Sequence, residues 1–217
     1  MQMLEVLAAQ PVIAAVRLKK DLAGALASSV GIVFLLAGDL FTLPEIVGQV
    51  KRAGKIVFVH FDMVQGVSKD ASGMNFMARS AAPDGIITTR ANLVAEARNC
   101  GLLTIQRTFL LDSQSVHTGI DLVKEAKPDI LEVLPGVVPS EIQEVVRLIR
   151  VPLIAGGLIK SRSQCYAALR AGAVGVSTSA SDLWNAALTA PAGEHAVGGG
   201  SVRQAVVRPG PVLARRS

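Results

Sequence analysis

Val151-Pro-Leu-Ile-Ala-Gly-Gly157, then Ser161-Arg-Ser-Gln164, then Gly175-Val-Ser-Thr-Ser179 reads as strand, capped helix and strand. The first string is a short apolar run closed by two glycines. The last is a glycine-led run that ends in three hydroxyls. Between them Ser161 and Gln164 have capping-box spacing, in which a hydroxyl and a side chain three residues on satisfy orphan N–H groups. A strand that returns parallel to its predecessor needs such a helical crossover.

The same grammar extends upstream. Apolar runs at Val12–Val16, Ile32–Leu36, Ile56–Val59, Gly85–Ile87, Leu102–Ile105, Ile130–Val133, Pro152–Ile154 and Val174–Val176 are each followed by a helix-period segment. Thr42-Leu-Pro-Glu45 repeats the capping pattern, and Ser179-Ala-Ser-Asp182 is a weaker version. Gly54, Gly101 and Gly172 stand where helices end and a positive φ is convenient. Ile46, Val47 and Val50, and likewise Ile142, Val145, Val146 and Ile149, form apolar stripes fit to pack on a sheet. Eight evenly spaced units predict a closed (β/α)₈ TIM-type barrel with short loops, a single domain over residues 1–187. An open doubly wound sheet is the alternative. Residues 188–217, with Gly198-Gly-Gly200, Pro209-Gly-Pro211 and Arg215-Arg216, read as a flexible tail.

Composition narrows the class. Half the chain is apolar but only 4% is aromatic, which suits helices on buried parallel strands better than an aromatic-rich sandwich. No apolar run approaches a bilayer span, and no basic segment precedes an apolar stretch at the start. Cys100 and Cys165 lie far apart in helical patterns, so no disulfide framework is expected and a reducing cytoplasm is. Of the net charge of +5, residues 1–187 contribute +2 (18 Lys and Arg against 16 Asp and Glu), and the last thirty residues +3. Charge alone therefore does not identify a nucleic-acid binder, although Lys51, Arg52 and Lys55, or Arg147 and Arg150, form local basic pieces.

In a parallel barrel, functional groups gather where strands end. Those positions hold Arg17, Gly38-Asp39, His60 and Asp62, Thr89-Arg90, Gln106-Arg107, Glu132, Gly156-Gly157 and Ser177-Thr178. Polar residues would also follow apolar runs simply because strands emerge into solvent. The last two units are the most specific. Gly156 and Gly157 permit close backbone approach to an anion, and Ser177 to Ser179 are expected to open a helix whose free N–H groups favour phosphate. Lys160 adds charge. The bland reading is a tight turn and an ordinary serine cap. Asp62 and Glu132 can accept hydrogen bonds from hydroxyls, act as an acid/base pair, or neutralise Arg17, Arg90 and Arg107. His60-Phe-Asp62 lacks further ligands for a metal, so none is expected. P-loop, dinucleotide-binding, C-x-x-C and nucleophile-elbow patterns are absent, and no cofactor is expected.

Specific strings add to this. Gly101-Leu-Leu-Thr-Ile-Gln-Arg107, Pro128-Asp-Ile-Leu-Glu-Val-Leu-Pro-Gly136, Ile154-Ala-Gly-Gly-Leu-Ile159 and Ala173-Val-Gly-Val-Ser-Thr-Ser179 stand in this order, preceded by Val57-Phe-Val-His-Phe-Asp62. Together they resemble the glycerol-3-phosphate-responsive antiterminator family, from about Gln10 to Trp184. The resemblance implies a barrel that senses glycerol 3-phosphate and, when occupied, acts on leader mRNA to prevent premature transcription termination. It implies no RNA-contacting residues. By position, Gly156, Gly157, Ser177, Thr178 and Ser179 are expected to hold the phosphate. Asp62 and Glu132 are expected to take the glycerol hydroxyls, with Arg107 beside them. The competing reading is an enzyme on a phosphorylated triose, sugar or polyol, with Asp62 or Glu132 as acid/base.

Overall fold

Each apolar run read as a strand is one, and all eight pair in parallel around a closed ring. The structure, a computed structural model, describes residues 3–188. Helix α1 (Met3–Ala9) precedes β1 (Val12–Val16). Then come α2 (Lys19–Ala27), β2 (Ile32–Leu35), α3 (Leu43–Arg52), β3 (Ile56–His60), α4 (Ala71–Ser80), β4 (Gly85–Thr88) and α5 (Ala91–Asn99). β5 (Leu103–Phe109), α6 (Ser113–Ala126), β6 (Ile130–Leu134), α7 (Pro139–Leu148), β7 (Leu153–Gly156), α8 (Arg162–Arg170) and β8 (Gly175–Thr178) complete the order. The ring closes where Val176 of β8 lies opposite Val12 of β1, and Thr178 opposite Ala14.

Strand alternation divides the core into two layers. Ile13, Phe34, Phe58, Ile87, Ile105, Ile130 and Ile154 fill the barrel interior, with Phe34 and Phe58 edge to face at 5.7 Å. Val12, Val33, Val57, Ile86, Leu131, Leu153 and Val176 face outward against the helices.

The sequence did not reveal α1. Its Met3, Val6 and Leu7 join the interior layer and plug the end of the barrel opposite the mouth. Gly31 and Gly175 make room for it: a Cβ at Gly175 would lie 2.9 Å from Leu7 Cδ2, and one at Gly31 would collide with Val6 Cγ1. Burial of each such side chain contributes about 1.5–3 kcal/mol, which is why a short helix stays docked.

Two capping expectations need correction. Thr42 is already helical in its backbone and does not cap α3; its hydroxyl donates to Asp39 Oδ2. Asp39 takes the exposed donors instead, accepting from the Phe41 and Thr42 N–H groups, while Glu45 pairs with Arg52. After β8 no α-helix opens at Ser177–Ser179. A single 3₁₀ turn, Ser181–Leu183, follows, and Trp184 Nε1 donates back to Thr178 O. The Ser161–Gln164 box does form at α8. Gly54, Gly101 and Gly172 have φ of +73°, +78° and +104°.

Both cysteines are free thiols, and Cys165 is buried. Among the described residues no helix is long and apolar enough to cross a membrane, and no group of three His, Cys, Asp or Glu side chains is placed to hold a metal. Leu188, the last described residue, is buried. The remainder of the tail read at 188–217 lies outside the described residues.

Candidate functional site

The mouth is organised by one buried ion pair. Glu132 on β6 points into the barrel and is fully buried. Its Oε2 accepts from Arg107 Nε on β5 at 2.8 Å, and its Oε1 accepts from Ser177 Oγ on β8 at 2.6 Å. β7 separates β6 from β8, so the second bond requires a gap. Gly156 supplies it: a Cβ there would lie 2.5 Å from Ser177 Oγ and 2.6 Å from Glu132 Oε1. Gly156 is thus small so that two side chains can meet across it. A buried carboxylate left unpaired costs several kcal/mol, so Arg107 and Ser177 make Glu132 tolerable where it stands.

Above this pair lies a cavity of about 390 Å³, a volume ordinary for a small-molecule site. It is bounded by the loop after β7 (Gly157 to Lys160), the loop after β8 (Ser179 and Ala180), Arg17 after β1, and Arg107, Glu132 and Ser177 below. The β7 loop turns sharply. Gly157 and Leu158 both have positive φ, +76° and +61°, a conformation unusual for leucine, and Leu158 is exposed. Gly136, next to the cis Leu134–Pro135 bond, donates its N–H to the carbonyls of Gly156 and Gly157 and fixes this turn from the β6 side.

The cavity's charge is lopsided. Arg17 and Lys160 are exposed at its edge, and no carboxylate among the described residues lies within ion-pair distance of either. The N–H groups of Leu158 and Ser179 have no protein acceptor among the described residues, whereas those of Lys160 and Ser161 are taken by Gln164 Oε1. The start of α8 is therefore closed by its own cap. The Thr178 hydroxyl is also engaged, donating to Ile159 O at 2.7 Å and accepting from Ala180 N–H, which ties the β7 and β8 loops together.

The structure thus brings Arg107, Glu132, Gly157, Ser177, Thr178 and Ser179 to one cavity and adds Arg17 and Lys160. Gly156 lies beneath it. Asp62 stands apart, in a 3₁₀ turn after β3. It accepts from Thr88 Oγ1, from the Thr89 N–H at 2.7 Å and from Thr89 Oγ1, with Arg90 Nε at 3.8 Å. Beside it His60 is nearly enclosed, and its Nδ1 has no hydrogen bond. Burial, reinforced by the Arg107 charge and partly offset by Asp62, lowers its pKa to about 4, so the ring is neutral at pH 7. Gln106 faces away from the mouth, buried, with neither amide atom hydrogen-bonded. Of the basic pieces, Lys51 pairs with Asp84, Arg52 with Glu45, and Lys55 donates to two backbone carbonyls.

Comparison with known proteins is consistent across sequence and fold. The profile of the family described as glycerol-3-phosphate responsive antiterminator matches residues 12–184. An uncharacterized Escherichia coli K12 protein, YgcP, is 37% identical over 187 residues, covering 86% of this chain and 98% of its own. The crystal structure of a glycerol uptake operon antiterminator regulatory protein from Listeria monocytogenes superposes with a TM-score of 0.78 at 34% identity, over 81% of this chain and 95% of that one. A glycerol uptake operon antiterminator-related protein from Thermotoga maritima gives 0.71 at 30% identity, over 81% and 98%.

Proposed function

The chain belongs to the glycerol-3-phosphate responsive antiterminator family, and from that premise we propose that it senses glycerol 3-phosphate and, when occupied, binds the leader mRNA of glycerol-utilisation genes in the cytoplasm. One observation carries the ligand half of this reading. Two cations, Arg17 and Lys160, face a cavity with no carboxylate among the described residues paired to either, directly above the buried triad of Arg107, Glu132 and Ser177. A phosphate dianion supplies the missing charge, and charge-assisted hydrogen bonds from Arg and Lys are the strong kind. The free N–H groups of Leu158 and Ser179 add donors at the same edge.

In this assignment the phosphate lies among Arg17, Gly157, Lys160 and Ser179. The glycerol hydroxyls point down to Arg107, Glu132 and Ser177, where a carboxylate accepts and a guanidinium donates. Asp62 keeps a structural place, holding the loop after β4 through Thr88 and Thr89. The catalytic alternative asks Asp62 or Glu132 to move protons, yet both carboxylates are already hydrogen-bonded to the protein's own donors.

Binding of a labelled glycerol-operon leader RNA at low salt, with and without glycerol 3-phosphate, tests the regulatory half. Affinity is expected to rise with ligand and fall linearly with the logarithm of salt. RNA affinity indifferent to the ligand would refute it.

A further inference from the structure

The residues that border the cavity skip part of the ring. Ala15 of β1, Arg17 after it and Leu36 after β2 form one side, and the border resumes at Arg107 of β5. Between them stand β3 and β4. Alternation fixes what β3 turns inward at its end. Phe58 lies in the interior layer and Val57 and Val59 in the outer one, so His60 points into the barrel. It lies opposite Ile87 of β4 and one residue past the Leu35–Val59 pair, which sets it beside Leu36. On its other side Arg107 is near enough for its charge to act on the ring.

The fold makes no use of this ring's polarity. His60 is only 5% exposed, yet Nδ1 makes no hydrogen bond. Asp62 Oδ2 is 3.9 Å away, beyond hydrogen-bond range, and accepts from Thr88 and Thr89 instead. Buried polar side-chain atoms are nearly always paired, and an apolar side chain of the same shape would fill the space at no loss. The ring's chemistry suits a guest. A neutral imidazole has one donor and one acceptor nitrogen, and an acceptor oxygen beside Nδ1 assigns the proton there and the lone pair to Nε2. An asparagine carbonyl in place of Asp62 Oδ2 would do the same. Burial and the Arg107 charge keep the ring neutral at pH 7, so that lone pair is open to a donor. Arg17, Arg107 and Lys160 can only donate, and both Glu132 oxygens already accept from protein groups. A ligand hydroxyl has a proton to give as well as lone pairs, and Nε2 supplies an acceptor for it.

We propose that His60 is a specificity-determining residue of the effector site, whose Nε2 accepts a hydrogen bond from a glycerol hydroxyl and so separates glycerol 3-phosphate from phosphates without one. The proposal rests on the glycerol 3-phosphate reading above and extends that site from β7, β8 and β1 across to β3. Cations at one edge hold the phosphate, and a buried ring on the other side reads the polyol.

The test is calorimetric binding of glycerol 3-phosphate and of n-propyl phosphate to wild type, His60→Leu and His60→Gln. Propyl phosphate keeps the three-carbon chain and the phosphate but has no hydroxyl. Wild type should bind glycerol 3-phosphate at least about tenfold more tightly, because a site built around a hydroxyl leaves its own polar groups unpaired against an analogue that lacks it. His60→Leu removes both nitrogens at similar volume. It should weaken glycerol 3-phosphate about tenfold, change propyl phosphate by less than about twofold and leave the melting temperature at pH 7 no lower. His60→Gln, whose amide oxygen reaches as far as Nε2, should recover most of the loss. A ring that only supports the fold would instead lower the melting temperature in His60→Leu and weaken both ligands together. That result would overturn the proposal, as would unchanged affinity of His60→Leu for glycerol 3-phosphate. Failure of wild type to bind glycerol 3-phosphate would overturn the underlying reading of the site.

Discussion

Two sectors of the mouth use the same residue types and end in opposite states. Over β3 and β4, Asp62 is surrounded by donors from Thr88 and Thr89, and in that cluster the neutral His60 ring is the buried group whose Nδ1 finds no partner among the described residues. Over β7, β8 and β1, Arg17 and Lys160 have no carboxylate partner among the described residues and stand above Glu132, which Arg107 and Ser177 hold in place. Both sectors are polar loop ends on a barrel. What separates them is satisfaction: a closed hydrogen-bond set is structure, whereas charge left unneutralised beside a cavity invites a guest.

The ion pair beneath the cavity should carry the largest effect. Glu132→Ala leaves the Arg107 guanidinium, only 10% exposed, without its counter-charge and should lower stability by about 3–5 kcal/mol in chemical denaturation. A loss within the range of an ordinary surface change would mean that the pair is not the keystone of the mouth. Next comes pH. His60 resists protonation down to about pH 4 in the fold, while in the unfolded chain it titrates near 6.5. Between these values the unfolded state binds more protons, so stability falls as pH drops from 6.5 to 4 and then levels off. The contribution is about 3 kcal/mol. The difference between wild type and His60→Gln in a pH series of melts isolates it, and parallel curves would contradict it. Asp62→Asn is smaller, costing about 1–3 kcal/mol for weakened bonds to Thr88 and Thr89. Calorimetric affinity for glycerol 3-phosphate should hardly change in this variant. A large loss of affinity would move Asp62 into the ligand site and erase the contrast between sectors.

The barrel was legible because its signals are local. Strand runs, the Ser161–Gln164 box and the glycines at 54, 101 and 172 each depend on residues close in sequence, and each appears as read. What was not legible depends on register across strands. No spacing rule reveals that Glu132 reaches Ser177 over Gly156, since that contact spans three strands and needs a missing Cβ in the middle one. The glycine was visible, but its use in the site was not. Likewise Thr42 and Glu45 have the right spacing for a cap, yet Asp39 three residues upstream of Thr42 takes both the Thr42 N–H and its hydroxyl. Helix α1 is docked through Met3, Val6 and Leu7 against the barrel interior, a contact that no local spacing announces. Arg17 and Lys160 could be seen as charges; that they share one cavity follows from β8 closing onto β1.

Calorimetry with glycerol 3-phosphate, glycerol and inorganic phosphate, on wild type and on Lys160→Ala, tests the central claim most directly. Wild type should bind glycerol 3-phosphate more tightly than either fragment, and Lys160→Ala should weaken it about tenfold with little change in melting temperature. No binding of glycerol 3-phosphate by wild type, or equal affinity in the variant, would contradict the account.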